Sequence, residues 1–304
     1  MQKDCDSTFG CITRSFEPSS NDELTVEVCR AAGLVPFVRS NVPQQLLMPE
    51  TENSLWGITN NPHSLSRTPG GSSGGEAALI ASGCSFLGIG SDIGGSIRIP
   101  AHFTGIVGFK PSPDRMTRLG GKVPRLNNRN GQLIIRPTNG PMARTVDDCI
   151  ELMKVLASPY VQTRDANIPP IPFIDPYSFG DTSLPTFRKL KIAYMETDGY
   201  FEPTAACRRA VLIAADKLRT RGHEVVPFRS PVQGEEVFRT FSTLIGADGN
   251  FHSLILGLQG DRLYDGYKAL KLYTDLPNLL RPPVALLLRL LGDQRKAKVV
   301  LSQR

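Results

Sequence analysis

The chain has no CxxC pair, no histidine cluster and no apolar run long enough to cross a bilayer, and each absence removes a class of function. Its opening, MQKDCDSTFG, carries charge but no apolar stretch of the kind a secretory leader needs. Cys5, Cys11, Cys29, Cys84, Cys149 and Cys207 are scattered, which reads most simply as reduced thiols in a cytosolic environment. His63, His102, His223 and His252 lie far apart, so zinc spacing is missing and no metal or other cofactor is expected. The glycine-rich turns lack the lysine of a phosphate loop, and the GxSxG elbow of many hydrolases is absent. No internal repeat is visible.

What remains is an ordinary globular composition. The 304 residues are 40% apolar, enough for the core of one or two domains, and 21% charged, which argues against global disorder. Periodicity predicts a helix over 21–32, with Leu24, Val28 and Ala31 on one face and Gly33 as its C-cap. LVPFV at 34–38 reads as a buried strand. Helix is expected over 76–82 and strand over 86–89, and a further short apolar run covers 105–109. Thr145 caps a second strong helix, with Asp148 in the capping-box position and Val146, Ile150 and Met153 on one face. A proline-rich connection spans 160–189. Strand, helix and strand follow at 190–194, 205–221 and 224–228. This alternation predicts an α/β fold with mostly parallel pairing.

The chemistry concentrates in 68–100, TPGGSSGGEAALIASGCSFLGIGSDIGGSIRIP. Two glycine-flanked serine turns enclose a short helix and a strand. A Gly-Ser loop at a helix start offers free backbone N–H groups, which suits an anion or an oxyanion. The run GIGSDIGG has GxGxxxG spacing and no acid at the ribose-binding distance, which argues against a dinucleotide. Ser96 follows two glycines, so a carbonyl could approach the amides around Ile93 to Ser96 closely. A serine nucleophile needs a base. His102 has no partner signal, and His223 sits at a helix-to-strand turn. The remaining option is a lysine whose proton is relayed by a second serine, Ser72 or Ser73.

PGGSSGGEAALIASG followed by GIGSDIGGSIRIPAHFTGIVGFKPS resembles the signature of the amidase signature family. DSTFG, GLVPFVRSNVPQ, GPMART, PPIPF and LKIAYMETDGYFEP resemble its fatty-acid amide hydrolase branch. The resemblance implies an α/β amidase signature fold with a central mixed, mostly parallel sheet flanked by helices, incomplete in this chain. It implies a serine hydrolase that cleaves lipid amides such as N-acylethanolamines through a Ser-Ser-Lys mechanism. Matched position by position, Ser96 is the nucleophile and Ser72 the bridging serine, which in the family carries a cis peptide. Ile93, Gly94, Gly95 and the Ser96 amide form the oxyanion hole. Ser73, Asp92 and Arg98 support the turn, and Leu46, Leu47 and Met48 line the reacting end of the substrate. The family lysine aligns a few residues ahead of Met1, while Lys3 and Lys110 match other positions. The whole chain, 1–304, is thus expected to be a partial amidase domain that lacks its base and its last helices and strands. The alternatives are a non-catalytic, regulatory membrane-binding form, a short-chain amidase and an amidotransferase subunit.

From Gly260 on there are nine Lys/Arg against four Asp, close to the whole formal surplus of +6. YTDLPNLLRPPVALLLRLLGDQRKAKVV, residues 273–300, is broken by Pro282, Pro283 and Arg289. It falls far short of the roughly 20 apolar residues that span a bilayer. It reads either as a buried helix pair or as an interfacial anchor. In the second case Leu286, Leu287, Leu288 and Leu290 dip in while Arg281, Arg289, Arg295, Lys296 and Lys298 meet lipid phosphates. The resemblance favours the anchor, a membrane cap over 260–304. Leucines rather than stacking aromatics separate the basic residues, which argues against nucleic acid. The expected partners are a lipid amide and a cytosol-facing membrane surface. Dimerisation is implied by the resemblance alone.

Overall fold

The computed structural model describes residues 1–122, 134–174, 189–247, 257–258 and 260–302. In chain order the main elements are α1 (Leu24–Ala31), β1 (Glu52–Asn53), β2 (Gly57–Ile58), α2 (Gly74–Ala81), β3 (Leu87–Asp92), α3 (Arg98–Thr104), β4 (Val107–Gly108), β5 (Thr138–Ala143), α4 (Val146–Leu156) and α5 (Pro159–Gln162). They are followed by β6 (Lys191–Tyr194), α6 (Ala205–Thr220), β7 (Glu224–Pro227), α7 (Gly234–Gly246), α8 (Asp265–Asp275), α9 (Arg281–Leu290) and α10 (Gln294–Ser302). They form two compact units, 1–175 with 248–276, and 176–247 with 277–304. The 260–304 segment is therefore shared between the units.

In the first unit, β3 and β4 both pair antiparallel with β5, which lies between them. β3 and β4 consequently run parallel to each other across β5, joined by α3. The strand–helix–strand unit read from the sequence is present. Both pairings in this sheet are antiparallel because β5 inserts in the opposite sense, whereas β6 and β7 pair in parallel, which gives the mixed pairing the resemblance implies. Along β3 the buried positions are Gly88, Gly90 and Asp92. A Cβ on Gly90 would lie 2.8 Å from Ile97, Met142 and the Ser73 hydroxyl, so glycine is what lets α2 and the following turn close onto this face. Ala77, Ile80, Ile97, Ala101 and Met142 form one apolar cluster there. A larger one joins Leu24, Val28 and Cys29 of α1 to Leu152, Met153 and Leu156 of α4.

Thr145 caps α4 as expected: its hydroxyl oxygen accepts from the Asp148 N–H at 3.1 Å. The reciprocal arm differs, since the Asp148 carboxylate accepts from the Thr145 hydroxyl at 2.6 Å. Val146, 56% exposed, is off the buried face, which Cys149, Ile150 and Met153 occupy. The 34–38 segment is not a strand, and Val35 and Phe37 are exposed. Pro36 removes a ladder donor, and no described strand pairs with it.

In the second unit, β6 and β7 pair in parallel, joined by α6, as the sequence predicts. Thr204 caps α6 by accepting from the Cys207 N–H at 3.3 Å. On α9, Leu286, Leu287 and Leu290 are exposed, Leu288 is half-buried and Arg281 is buried. Arg281 therefore faces protein rather than lipid phosphate. Lys296 pairs with Asp293 at 2.7 Å, and the side chains of Arg295 and Lys298 lie outside those described. No described helix is long and apolar enough to cross a membrane.

Candidate active site

The two serine turns meet at one point. Ser72 and Ser73 precede α2, and Ile93 to Ser96 connect β3 to α3. The Ser73 N–H donates to the Ser96 carbonyl at 3.0 Å, tying one turn to the other. The peptide between Gly71 and Ser72 is cis. A Cβ on Gly71 would stand 2.7 Å from the carbonyl oxygens of Met48 and Glu50, so this position has room for glycine only. The Ser73 hydroxyl is occupied by β3: it accepts from the Ser91 N–H at 3.3 Å and donates to the Ser91 carbonyl at 3.5 Å. Ser72 instead lines a cavity, together with Ser96. Of the two neighbouring serines, Ser72 is the one at the cavity and Ser73 the one bonded to β3.

Asp92, fully buried at the end of β3, organises the second turn. One carboxylate oxygen accepts from the Gly95 N–H at 2.8 Å and from Arg98 Nη2 at 3.0 Å. The other accepts from the Ile97 N–H at 3.1 Å and from Arg98 Nε at 3.0 Å. Burial alone would push this carboxyl up. The Arg98 fork and the N–H groups of Gly95 and Ile97, joined by the Arg98 N–H at 3.4 Å, outweigh it and hold the pKa below the ordinary aspartate value. The Gly95 N–H is therefore taken by Asp92. Of the four expected oxyanion donors, those of Ile93, Gly94 and Ser96 remain, with Ile93 and Ser96 lining the cavity.

The cavity measures about 170 Å³. Phe9, Leu46 and Leu47 supply apolar lining, and Gln45 and Leu46 adopt left-handed backbone at φ 51° and 61°. Met48, expected beside them, packs instead against the cluster of Cys11, Leu258 and Tyr267. None of the described histidines lines the cavity. The His63 ring is bonded to the Thr104 carbonyl at 2.8 Å, and His223 Nδ1 accepts from the Leu190 N–H at 3.3 Å. His252 lies outside the described residues. Lys3 and Lys110 do not line the cavity, whereas Arg118 and Lys122 do. These two, like Phe9 and Gln45, carried no local signal in the sequence. Among the described residues no group of three or more His, Cys, Asp or Glu could hold a metal ion.

A family model described as Amidase matches residues 2–261, most of the chain and all of this site. The chain belongs to the amidase signature family. It is 40% identical to fatty acid amide hydrolase 1 of Caenorhabditis elegans over 75% of this chain and 39% of that protein. It is 37% identical to fatty-acid amide hydrolase 1 of Sus scrofa over 93% of this chain and 47% of that protein. A solved fatty acid amide hydrolase structure superposes with a TM-score of 0.73 at 25% identity, covering 99% of this chain and 58% of that one. The chain thus spans roughly half the length of the relatives it matches.

Proposed function

We propose that this chain carries the nucleophile and proton relay of an amide hydrolase acting on lipid amides. The observation that carries the reading is the shared cavity of Ser72 and Ser96, with the Ser73 hydroxyl occupied elsewhere. Ser96 Oγ attacks the amide carbonyl. The negative charge that develops on the carbonyl oxygen falls among the N–H groups of Ile93, Gly94 and Ser96, and each such donor is worth about 3 kcal/mol in the transition state. Ser72 takes the Ser96 proton toward the lysine base implied by the family and returns a proton to the leaving nitrogen. That return matters because an amine leaves poorly until protonated. Water then releases the acyl group from Ser96. Asp92 and Arg98 hold the turn and take no part in the proton transfers.

The apolar lining by Phe9, Leu46 and Leu47 supports an acyl chain as the group bound. A cavity of about 170 Å³ is smaller than the roughly 300–1,000 Å³ of pockets that enclose a drug-sized ligand, so it takes the reacting end of the substrate. The exposed leucines of α9 support delivery from a membrane surface. The small cavity also favours a second reading, a short-chain amidase.

The test is hydrolysis of a series of N-acyl amides from butyryl to oleoyl by the protein that contains this chain. The lipid-amide reading expects kcat/KM to rise with chain length and Ser96→Ala to lose about 10³-fold or more. A preference for butyryl amides turns the assignment to the short-chain enzyme. No hydrolysis of any member overturns both and leaves a non-catalytic relative.

A further inference from the structure

Gln45 lines the serine cavity and is 2% exposed, and its side-chain Oε1 accepts from no donor among the described residues. Ser19, Gln44 and Ser158 also bury a side-chain oxygen in that condition, but none of them lines the cavity. The neighbouring Gln44 has its carboxamide fixed elsewhere, through Nε2, which donates to the Arg262 carbonyl at 3.0 Å. The backbone that carries Gln45 is held in an unfavourable form. Gln45 and Leu46 both take left-handed φ, 51° and 61°, where a Cβ crowds the main chain and glycine is the usual occupant. Main-chain bonds keep the bend in place. The Gln45 N–H donates to the Phe9 carbonyl at 2.8 Å, and the Leu46 N–H to the Pro43 carbonyl at 3.0 Å. A buried acceptor without a donor is destabilising, and so is left-handed backbone at a residue with a Cβ. Both fall on one residue of the wall beside Ser72 and Ser96, which marks it as a contact for a ligand that brings the donor.

The reacting end of an amide has one acceptor and one donor. Its carbonyl oxygen goes to the N–H groups of Ile93, Gly94 and Ser96, and its N–H is left over. We infer that Gln45 Oε1 accepts the N–H of the scissile amide, so that Gln45 is a substrate-binding residue that selects N–H amides over esters of the same shape. The inference rests on the amide-hydrolase reading for its substrate class. The contact also serves the departure of the nitrogen. Once Ser96 Oγ has bonded to the carbonyl carbon, the nitrogen is pyramidal. With its N–H on Gln45, its lone pair is left to take the proton that Ser72 returns. An ester offers no N–H, so its binding leaves the buried oxygen of Gln45 unpaired, and a site built to pair a substrate N–H rejects the analogue that lacks it.

Binding tests this without turnover. N-ethyloctanamide, ethyl octanoate and N-ethyl-N-methyloctanamide are titrated calorimetrically into the Ser96→Ala form of the protein that contains this chain. The first two differ only by NH against O, and the third keeps the amide carbonyl but lacks the N–H. N-ethyloctanamide should bind about tenfold or more tightly than either of the others. In a Gln45→Met background, of similar side-chain length without a polar acceptor, the amide-to-ester ratio should fall close to one. Gln45→Glu keeps an oxygen at the same reach and should keep the preference. Far-UV circular dichroism verifies that both variants are folded, and the three-ligand comparison stands without them. Equal affinity for the three ligands, or a preference that survives Gln45→Met, overturns the inference. Failure of the unsubstituted protein to hydrolyse N-ethyloctanamide or any other amide would instead overturn the amide-hydrolase reading, with the binding ratio still measurable.

Discussion

The backbone N–H of Ser73 donates to the backbone carbonyl of Ser96 at 3.0 Å. Because both partners are main chain, a serine-to-alanine change at either position leaves this tie between the two turns in place. It brings the turn that ends in Ser72 against the turn that ends in Ser96, and the side chains of 72 and 73 then part. One faces the cavity and the other braces β3.

That division makes the two neighbouring serines separable by measurement. Ser72→Ala should lower amide turnover by about 10²–10⁴-fold, the usual worth of a proton-transfer group, with little change in melting temperature. Ser73→Ala removes the hydroxyl that the Ser91 N–H relies on, and should cost about 1–2 kcal/mol of stability. Paired measurements of kcat and Tm on the two variants decide it. Equal losses of turnover with no difference in Tm would contradict the division.

Asp92 couples the nucleophile turn to acid. Its pKa is held below the ordinary carboxylate value, so the unfolded chain takes up this proton more readily than the folded one. Its contribution is complete above the ordinary aspartate pKa of about 3.9 and is lost as pH falls through the lower folded value. Asp92→Asn weakens the fork with the half-exposed Arg98 and the bonds to the turn N–H groups, and should cost about 1–3 kcal/mol at neutral pH. Urea unfolding across the acid range should show that the variant has lost this part of the decline in stability below about pH 4. An unchanged acid limb would show that Asp92 does not carry it.

Gly71 should be intolerant for a reason specific to catalysis. The methyl of Gly71→Ala would press on two backbone carbonyls, those of Met48 and Glu50, which cannot rotate away. The cost is about 1–3 kcal/mol, and the displaced peptide is the one that positions Ser72. Gly83 serves as the control: it has φ of 80° but nothing within 4 Å of a Cβ. Gly83→Ala should lose about 1–2 kcal/mol of stability from backbone strain and keep its turnover. Comparable turnover in the two variants would argue against the assigned place of Ser72.

The leucines of α9 give a test of membrane contact that is independent of catalysis. Leu287 and Leu290 are 56% and 77% exposed, so Leu287→Asp and Leu290→Asp should leave Tm within about 1 kcal/mol equivalent. Co-sedimentation with vesicles of phosphatidylcholine and phosphatidylserine should fall several-fold in either variant. Retention that is unchanged in both would remove α9 as the anchor.

Much of this was legible from residue order. α1 follows from apolar periodicity, α4 from periodicity and its Thr145 cap, α6 from the strand–helix–strand alternation, and the two serine turns from their glycines and the family resemblance. β5 was not, because TNGPMA has the composition of a turn. Its glycine answers to packing, since a Cβ on Gly140 would collide with the Phe109 carbonyl. Its proline is tolerated because Pro141 lies just past the two residues of β4 that pair with β5, and it still accepts from the Phe109 N–H at 3.0 Å. The 34–38 run misleads in the other direction: its side chains are apolar enough for a strand, but no described strand lies beside it. Arg118 and Lys122 reach the cavity through a loop anchored to α1 by a single main-chain bond, a relation that no local pattern encodes. Met48 adjoins two cavity-lining leucines in sequence, yet the chain turns its side chain toward Tyr267.

The most direct measurement is the site of covalent capture. The protein that contains this chain would be treated with a fluorophosphonate and digested, and the adduct located by mass spectrometry. The account expects one modified residue, Ser96, with labelling slowed by Ser72→Ala. An adduct on another serine, or amide hydrolysis that survives Ser96→Ala, would contradict it.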